Sequence, residues 1–392
     1  MKILIAPDSF KDALSALQVC EAIRRGVLAA MPDAQVQIFP LADGGEGTAE
    51  VLKWHLGGEL VQVQVADPLF RPIRAHFFSF PTGTGGKTAF VEMAQASGLE
   101  LLRPVERNPL KNSTFGTGQL VLEALRQGAT TLYLAIGGSA TNDAGMGMAM
   151  ALGWRFLDNN GKDLTPIGEN LIKVQTIVPP YSANLGELQR NSNPKITVLS
   201  DVTNPLYGAN GAAFVFAQQK GADADAVRQL DEGLRHFSEL VASSLGTDFS
   251  GEPGAGAAGG LGFGAMAFLG ADIQPGAYTV MQLVGFEEVV KKADLIITGE
   301  GKLDGQTQQG KLVGAICHKA KVVGVPVLAI CGIVDATEPE IKGLGLWRAY
   351  QLKLPNESLE RSLSRTAAAL ETVAEEVLRA VTLSNEKQYW NF

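Results

Sequence analysis

The sequence predicts an α/β protein: an open, doubly wound parallel sheet interrupted by a second, inserted α/β domain. Three observations carry this. Over roughly the first 70 residues, apolar runs rich in branched residues alternate with stretches of helical period, and the same alternation returns near the C-terminus. Between the two, strand-like runs follow one another directly, as in a hairpin. The length of 392 residues already exceeds what one hydrophobic core usually organises.

"KILIAP" opens the chain as a buried strand. Ser15 with Gln18 is a capping box that starts a helix; Leu17, Cys20, Ile23, Val27 and Leu28 recur at its spacing, and Pro32 stops it. A second strand, "VQIFPLA", leads through "DGGEGT" into a short helix at about 49–56, closed by Gly57-Gly58. Near the C-terminus, "DLIITGEG", "PVLAICG" and "LWRAYQL" read as strands. "GKLVGAICHKA" and "SLSRTAAALETVAEEVLRAV" read as helices. Together the two ends make one domain of about five strands, residues 1–70 plus 288–392. The inserted domain, 71–287, reads as strands "IRAHFFSF", "TAFVEMA", "TLYLAIGG", "KITVLSDV" and "GAAFVFAQQ" with helices near 117–127, 143–152 and 223–245. The active site is expected in the cleft between the domains.

"PTGTGGKT" (81–88) imitates a phosphate-binding loop, but Pro81 stands where that pattern needs glycine, and a strand rather than a helix follows. Gly83, Gly85 and Gly86 suit a hairpin turn instead.

A net charge of −8 argues against nucleic acid as a partner. The cysteines (Cys20, Cys317, Cys331) are odd in number and have no metal-ligand spacing, so they read as buried small residues. The N-terminal apolar run is too short for a signal peptide and no stretch approaches a membrane span, so a cytoplasmic location is expected.

Chemistry is expected in the loops after the strands. "PDSFK" (7–11), "ADGGEGT" (42–48), "GGSATNDAG" (137–145), "SDVTNP" (200–205) and "GEGKLDGQT" (299–307) combine glycine with carboxylates and hydroxyls. Each alone could be an Asx turn or helix cap. Five together point to a cleft in which Asp43, Glu46, Glu300 and Asp304 would repel one another without a cation. The glycines of "GGSAT", with Ser139 and Thr141, suggest an anion nest at a helix N-terminus. "AGAAGGLGFGAMAF" (255–268) fits either close helix packing or ligand contact, and "KNSTFGTGQ" leads into a further helix.

These segments, with "IAPDSFK", "GTGQL", "IGGSATND", "SDVTNPL", "GAAGGLG" and "TGEG", resemble the type I glycerate kinase family, the bacterial glycerate 2-kinases, in the family's order over residues 3 to about 310. The chain departs from it in Asp12-Ala13, where Gly-Ser is common, and in Ala144, where Gly is common. The resemblance implies a flavodoxin-like discontinuous domain and ATP- and Mg²⁺-dependent phosphorylation of D-glycerate to 2-phosphoglycerate. On this basis Lys11 is expected to hold the glycerate carboxylate or the moving phosphoryl group. Asp201 would accept the hydroxyl proton, with Asp8 as alternate. Ser9, Lys111, Thr114, Asn142, Asp143, Thr203 and Asn204 are the expected substrate contacts. Gly137, Gly138, Ser139, Thr141, Gly44, Gly45, Gly299 and Gly301 would contact ATP, and Asp43, Glu46, Glu300 and Asp304 the metal. The alternatives are phosphorylation at the 3-position, a non-catalytic small-acid binding protein, and an Asp-nucleophile phosphatase, whose D-x-D pair "PDSFK" lacks.

Overall fold

Alternating side chains along the first strand divide between two cores. Ile3 and Ile5 pack with Val19, Ile23, Val27 and Leu370, whereas Leu4 packs with Met281, Phe286, Leu312 and Ile316. That period of two, apolar on both faces, is what a parallel sheet covered by helices on each side requires. The computed structural model describes residues 1–81, 85–180, 194–304 and 311–383. Its contacts divide the chain into two units: Met1–Asp43, Glu50–His55 and the described residues from Ala277 on, and Gly44–Ala49 with Leu56–Gly276. The boundaries thus differ from the expected 70 and 288. The reason at the first is a strand the sequence reading passed over, and at the second two helices, Gly276–Leu283 and Phe286–Val290, that pack with the first unit.

Numbered along the chain, the first unit's sheet comprises β1 (Lys2–Ile5), β2 (Gln35–Ile38), β11 (Leu295–Thr298), β13 (Val327–Cys331) and β15 (Arg348–Gln351). Every neighbour pair is parallel, and the order is β15-β13-β11-β1-β2. Counted within the unit this is the flavodoxin-like order 2-1-3-4-5. Ser15 caps the helix Ala16–Ala30 as expected: its hydroxyl accepts the Gln18 N–H at 3.3 Å, and the Gln18 carboxamide accepts the Ser15 N–H at 2.9 Å. The expected single C-terminal helix is two, Leu359–Ser364 and Thr366–Leu383.

The second unit carries a six-stranded mixed sheet: β3 (Glu59–Ala66), β4 (Pro72–Pro81), β5 (Lys87–Glu92), β6 (Ala129–Ala135), β9 (Lys195–Leu199) and β10 (Asp272–Gln274). β3, β4 and β5 pair antiparallel; β5, β6, β9 and β10 pair parallel. Short pairs complete the described strands: β7 (Arg155–Leu157) with β8 (Thr176–Val178) in this unit, and β12 (Lys302–Leu303) with β14 (Ile333–Val334) in the first. β3 is the strand passed over. Its "ELVQVQVA" alternates polar and apolar, the mark of a half-buried strand.

Pro81 lies opposite Lys87 in the antiparallel β4–β5 pair, so the false phosphate loop is a hairpin connection whose tip, 82–84, lies outside the described residues. "GAAFVFAQQ" is not a strand: it forms the helix Ala212–Phe216 and a 3₁₀ turn, Gln218–Lys220. A short apolar run suits either element, and here Ala212, Ala213 and Ala217 face a helical core with Leu230, Leu234 and Phe237.

Candidate functional site

In the first unit the strand order reverses between β1 and β11, where a sheet of this kind takes its ligand beyond the carboxyl ends. The loops leaving those strands are tied together. The Asp8 N–H donates to the Gly299 carbonyl at 2.9 Å, and the Thr298 hydroxyl donates to the Ala6 carbonyl at 2.9 Å. A Cβ on Gly299 would stand 2.0 Å from the Ile330 carbonyl oxygen, so only glycine lets this loop pass β13. Gly301 lies beside the Lys11 backbone, 4.0 Å from its nitrogen by the same measure.

The Asp8 carboxylate accepts the Ser9 N–H at 2.6 Å and the Ser9 hydroxyl at 3.3 Å. Burial holds its pKa well above the usual carboxylate range; the charges of Asp43 and Glu300 add to this, while the Ser9 N–H and Lys11 oppose it. Glu300 is buried and Lys11 is exposed. Ser9, Lys11, Asp43 and Glu300 thus all act on Asp8. Asp304 pairs with Lys302 at 3.4 Å, and Lys302 also pairs with Asp335 at 3.1 Å. The "DGQT" tail, from residue 305 on, lies outside the described residues. Among the described residues no group of three or more His, Cys, Asp or Glu is arranged to hold a metal ion. The expected quartet is thus not a ready cage among the described residues, and Asp304 is engaged by Lys302.

The second unit gathers its expected residues at the carboxyl ends of its own parallel strands. A Cβ on Gly137, after β6, would lie 3.3 Å from Gly45, and one on Gly44 would lie 2.8 Å from Gly276, after β10. Asp201, after β9, accepts the Gly276 N–H at 2.9 Å. Thr203 is exposed, and the Asn204 amide donates to the Asn210 carbonyl at 2.9 Å. Glu92, at the end of β5, is buried and accepts the Ala49 N–H at 2.9 Å in the first turn of helix Thr48–Leu56, where a negative charge suits the helix dipole. Nothing in "TAFVEMA" singled out Glu92.

The loop 137–145 departs from expectation. The helix that follows it starts only at Met146, and its first amides are already taken. Asp143 accepts the Thr114 N–H and hydroxyl, both at 2.8 Å, the Gly147 N–H at 3.2 Å and the Gly145 N–H at 3.3 Å. The carboxylate thus fills the start of this helix itself, and the donors of Gly137, Gly138 and Ser139 lie outside that set. Thr114, Asn142 and Asp143 are fully buried, and Thr114 and Asp143 hold this loop by the bonds just given. Lys111 is exposed, and its N–H donates to the Asn108 carbonyl at 3.0 Å.

Gly137 and Gly138 are exposed and Ser139 half-buried. Beneath Ser139 sits Lys220, itself buried, whose ammonium donates to the Ser139 hydroxyl oxygen at 2.7 Å and to the Thr141 carbonyl at 2.8 Å. Burial pushes the Lys220 ammonium down to about 7, against the charge of Asp143. The sequence reading missed this residue; a lone lysine closing the apolar run "AAFVFAQQ" was its only signal.

The glycine-rich segment 255–268 serves packing. Gly259 has φ +69°, and a Cβ on it would fall 2.1 Å from the Thr141 carbonyl oxygen. Asp12 (φ 62°) and Ala144 (φ 52°) lie in the left-handed region, which accounts for the glycine common at these positions and leaves the departures themselves without a structural reason.

A family model described as the glycerate kinase family matches residues 3–382. A glycerate kinase of Bacillus subtilis is 41% identical over 98% of both chains. A glycerate 2-kinase of Escherichia coli is 43% identical over 85% of both. A crystal structure assigned as glycerate kinase 2 from Salmonella typhimurium superposes with a TM-score of 0.83 at 39% identity, covering 98% of this chain and 99% of that one. The chain belongs to the glycerate kinase family.

Proposed function

We propose that the protein transfers the γ-phosphoryl group of ATP to the 2-hydroxyl of D-glycerate, releasing 2-phosphoglycerate and ADP, with Mg²⁺ as metal. The observation that carries this reading is the nearly full-length likeness to glycerate kinases. The Asp8–Lys11 loop stands where a sheet of this order takes its ligand, which accords with it. The choice of the 2-hydroxyl follows the Escherichia coli relative's name.

Phosphoryl transfer asks a protein mainly for positioning and for stabilising negative charge. Lys11, exposed beside Asp8, is free to reach the glycerate carboxylate or the moving phosphoryl group. Asp201 accepts the proton of the attacking hydroxyl, with Asp8 as the alternate. Gly137, Gly138 and Ser139 offer donors to phosphate oxygens. The carboxylates fit a divalent cation: Asp8 is held protonation-prone by burial, Asp43 and Glu300, and a cation would relieve that repulsion. Mg²⁺ commonly takes only one or two carboxylates beside phosphate oxygens and water, so Asp8, Asp43 and Glu300 suffice without a preformed cage. When bound, the ion neutralises charge on the phosphate oxygens.

ADP release that requires glycerate tests the reaction, and NMR of the product identifies which hydroxyl was phosphorylated. In Asp201→Asn at saturating ATP and glycerate, kcat should fall about 10²–10⁴-fold with the fold intact. Unchanged turnover would remove Asp201 from the role of base.

A further inference from the structure

The loop after β6 rests on a buried lysine. Lys220 donates two hydrogen bonds upward, one to the Ser139 hydroxyl oxygen (2.7 Å) and one to the Thr141 carbonyl (2.8 Å). A hydroxyl whose oxygen accepts from an ammonium has its own proton turned away from that ammonium and made a stronger donor. Ser139 is half-buried and its neighbours Gly137 and Gly138 are exposed, so the outward side of this hydroxyl is the accessible one.

A second observation sets the loop apart. The Thr141 hydroxyl and both amide atoms of Asn142 are buried with no hydrogen-bond partner, directly after the residues Lys220 holds. Native proteins satisfy nearly all such atoms, and exceptions gather where function requires a particular arrangement. A surface lysine could supply positive charge without desolvation; this one is enclosed, and burial strips its ammonium of water.

We propose that Lys220 is a positioning residue. It fixes the 139–141 loop and turns the Ser139 hydroxyl outward as a charge-assisted donor to an oxyanion, either a phosphate of the nucleotide or the carboxylate of the acid. This deepens the kinase reading and rests on it for the identity of the ligands. It does not rest on it for the hydrogen-bond relay, which binding alone can test.

The experiment compares full-length wild type, Ser139→Ala, Lys220→Met, Lys220→Arg and the Ser139→Ala/Lys220→Met double variant. Calorimetry with ADP and with D-glycerate is run separately, followed by steady-state kinetics. Ser139→Ala, at a half-buried loop position, keeps the test open should Lys220→Met fail to fold. The expected result is a roughly tenfold or greater weakening for one of the two ligands in Ser139→Ala, and the same ligand identifies the oxyanion. Lys220→Met should weaken that ligand similarly, with no additional loss in the double variant because Lys220 acts through Ser139. Lys220→Arg should restore part of the affinity. A lowered melting temperature with unchanged affinities and kinetics would overturn the proposal, as would losses that add in the double variant. So would unchanged affinity for both ligands in Ser139→Ala. A wild type that binds either ligand yet shows no glycerate-dependent ADP release would instead overturn the kinase reading, leaving the relay to be decided by the binding arm.

Discussion

Each unit places a desolvated aspartate in a loop that leaves the carboxyl end of a parallel strand: Asp8, half-buried, after β1 and Asp143, fully buried, after β6. Desolvation raises both pKa values. Their neighbours then separate them. Asp8 faces the like charges of Asp43 and Glu300, with few opposing contacts. Asp143 receives four hydrogen bonds, from Thr114, Gly145 and Gly147, and has the Lys220 ammonium nearby. The same residue type, shifted in the same direction, is electrostatically frustrated in one loop and satisfied in the other. Frustration of the first kind marks a ligand site; satisfaction of the second kind marks a part that holds its shape.

The sharpest way to break this contrast is Asp143→Ala. It would orphan the Thr114 N–H and hydroxyl and two amides at a helix start, and leave Lys220 without its nearby counter-charge. A loss of roughly 3–5 kcal/mol is expected, read as a drop in the urea midpoint. A loss below about 1 kcal/mol would mean that Asp143 is not a structural keystone, and the two aspartates would no longer differ in kind.

How far the sequence reached follows the same division. Loops that combine glycine with carboxylates were legible because a backbone that must turn tightly and a side chain that must bind leave distinct residue types; "PDSFK" and "GEG" are gathered as foreseen. The loop 137–145 was legible only in part. "GGSATND" does not reveal that Asp143 fills the helix start itself, nor that the helix begins only at Met146, so the donors left for a ligand are those of Gly137, Gly138 and Ser139. Lys220 and Glu92 were missed for a related reason. Their roles arise from burial by elements distant in the chain, and no spacing within "QQKG" or "FVEM" announces it. β3 was different: its alternation was plain, and only the adjoining helix and Gly57-Gly58 drew the reading past it.

Lys220 permits a test by pH. Its pKa is lowered from an ordinary 10.5 to about 7, so the unfolded chain holds the proton over a range where the folded chain has released it. Stability from this group is therefore present above about 10.5 and is lost as pH falls toward 7. Unfolding free energy measured from pH 7 to 10 should rise in wild type relative to Lys220→Met. Parallel curves for the two proteins would show that the ammonium is not enclosed as its contacts indicate.

Asp8→Asn is the smallest expected effect on stability and has the opposite sign to Asp143→Ala. Because the folded pKa of Asp8 is raised, its stabilising contribution is present below the ordinary 3.8 and is lost as pH rises through the raised value. At neutral pH the native chain therefore carries a repulsion that asparagine relieves while keeping the carbonyl oxygen that accepts the Ser9 N–H. The variant should be more stable by about 1 kcal/mol and nearly inactive, the usual trade where a site keeps like charges together for its ligand. Magnesium sharpens the reading. If the cation offsets the repulsion, added Mg²⁺ should raise the melting temperature of wild type and have little effect on Asp8→Asn. A variant less stable than wild type at pH 7 would place Asp8 with Asp143 as a structural residue, and the contrast between the two loops would fall.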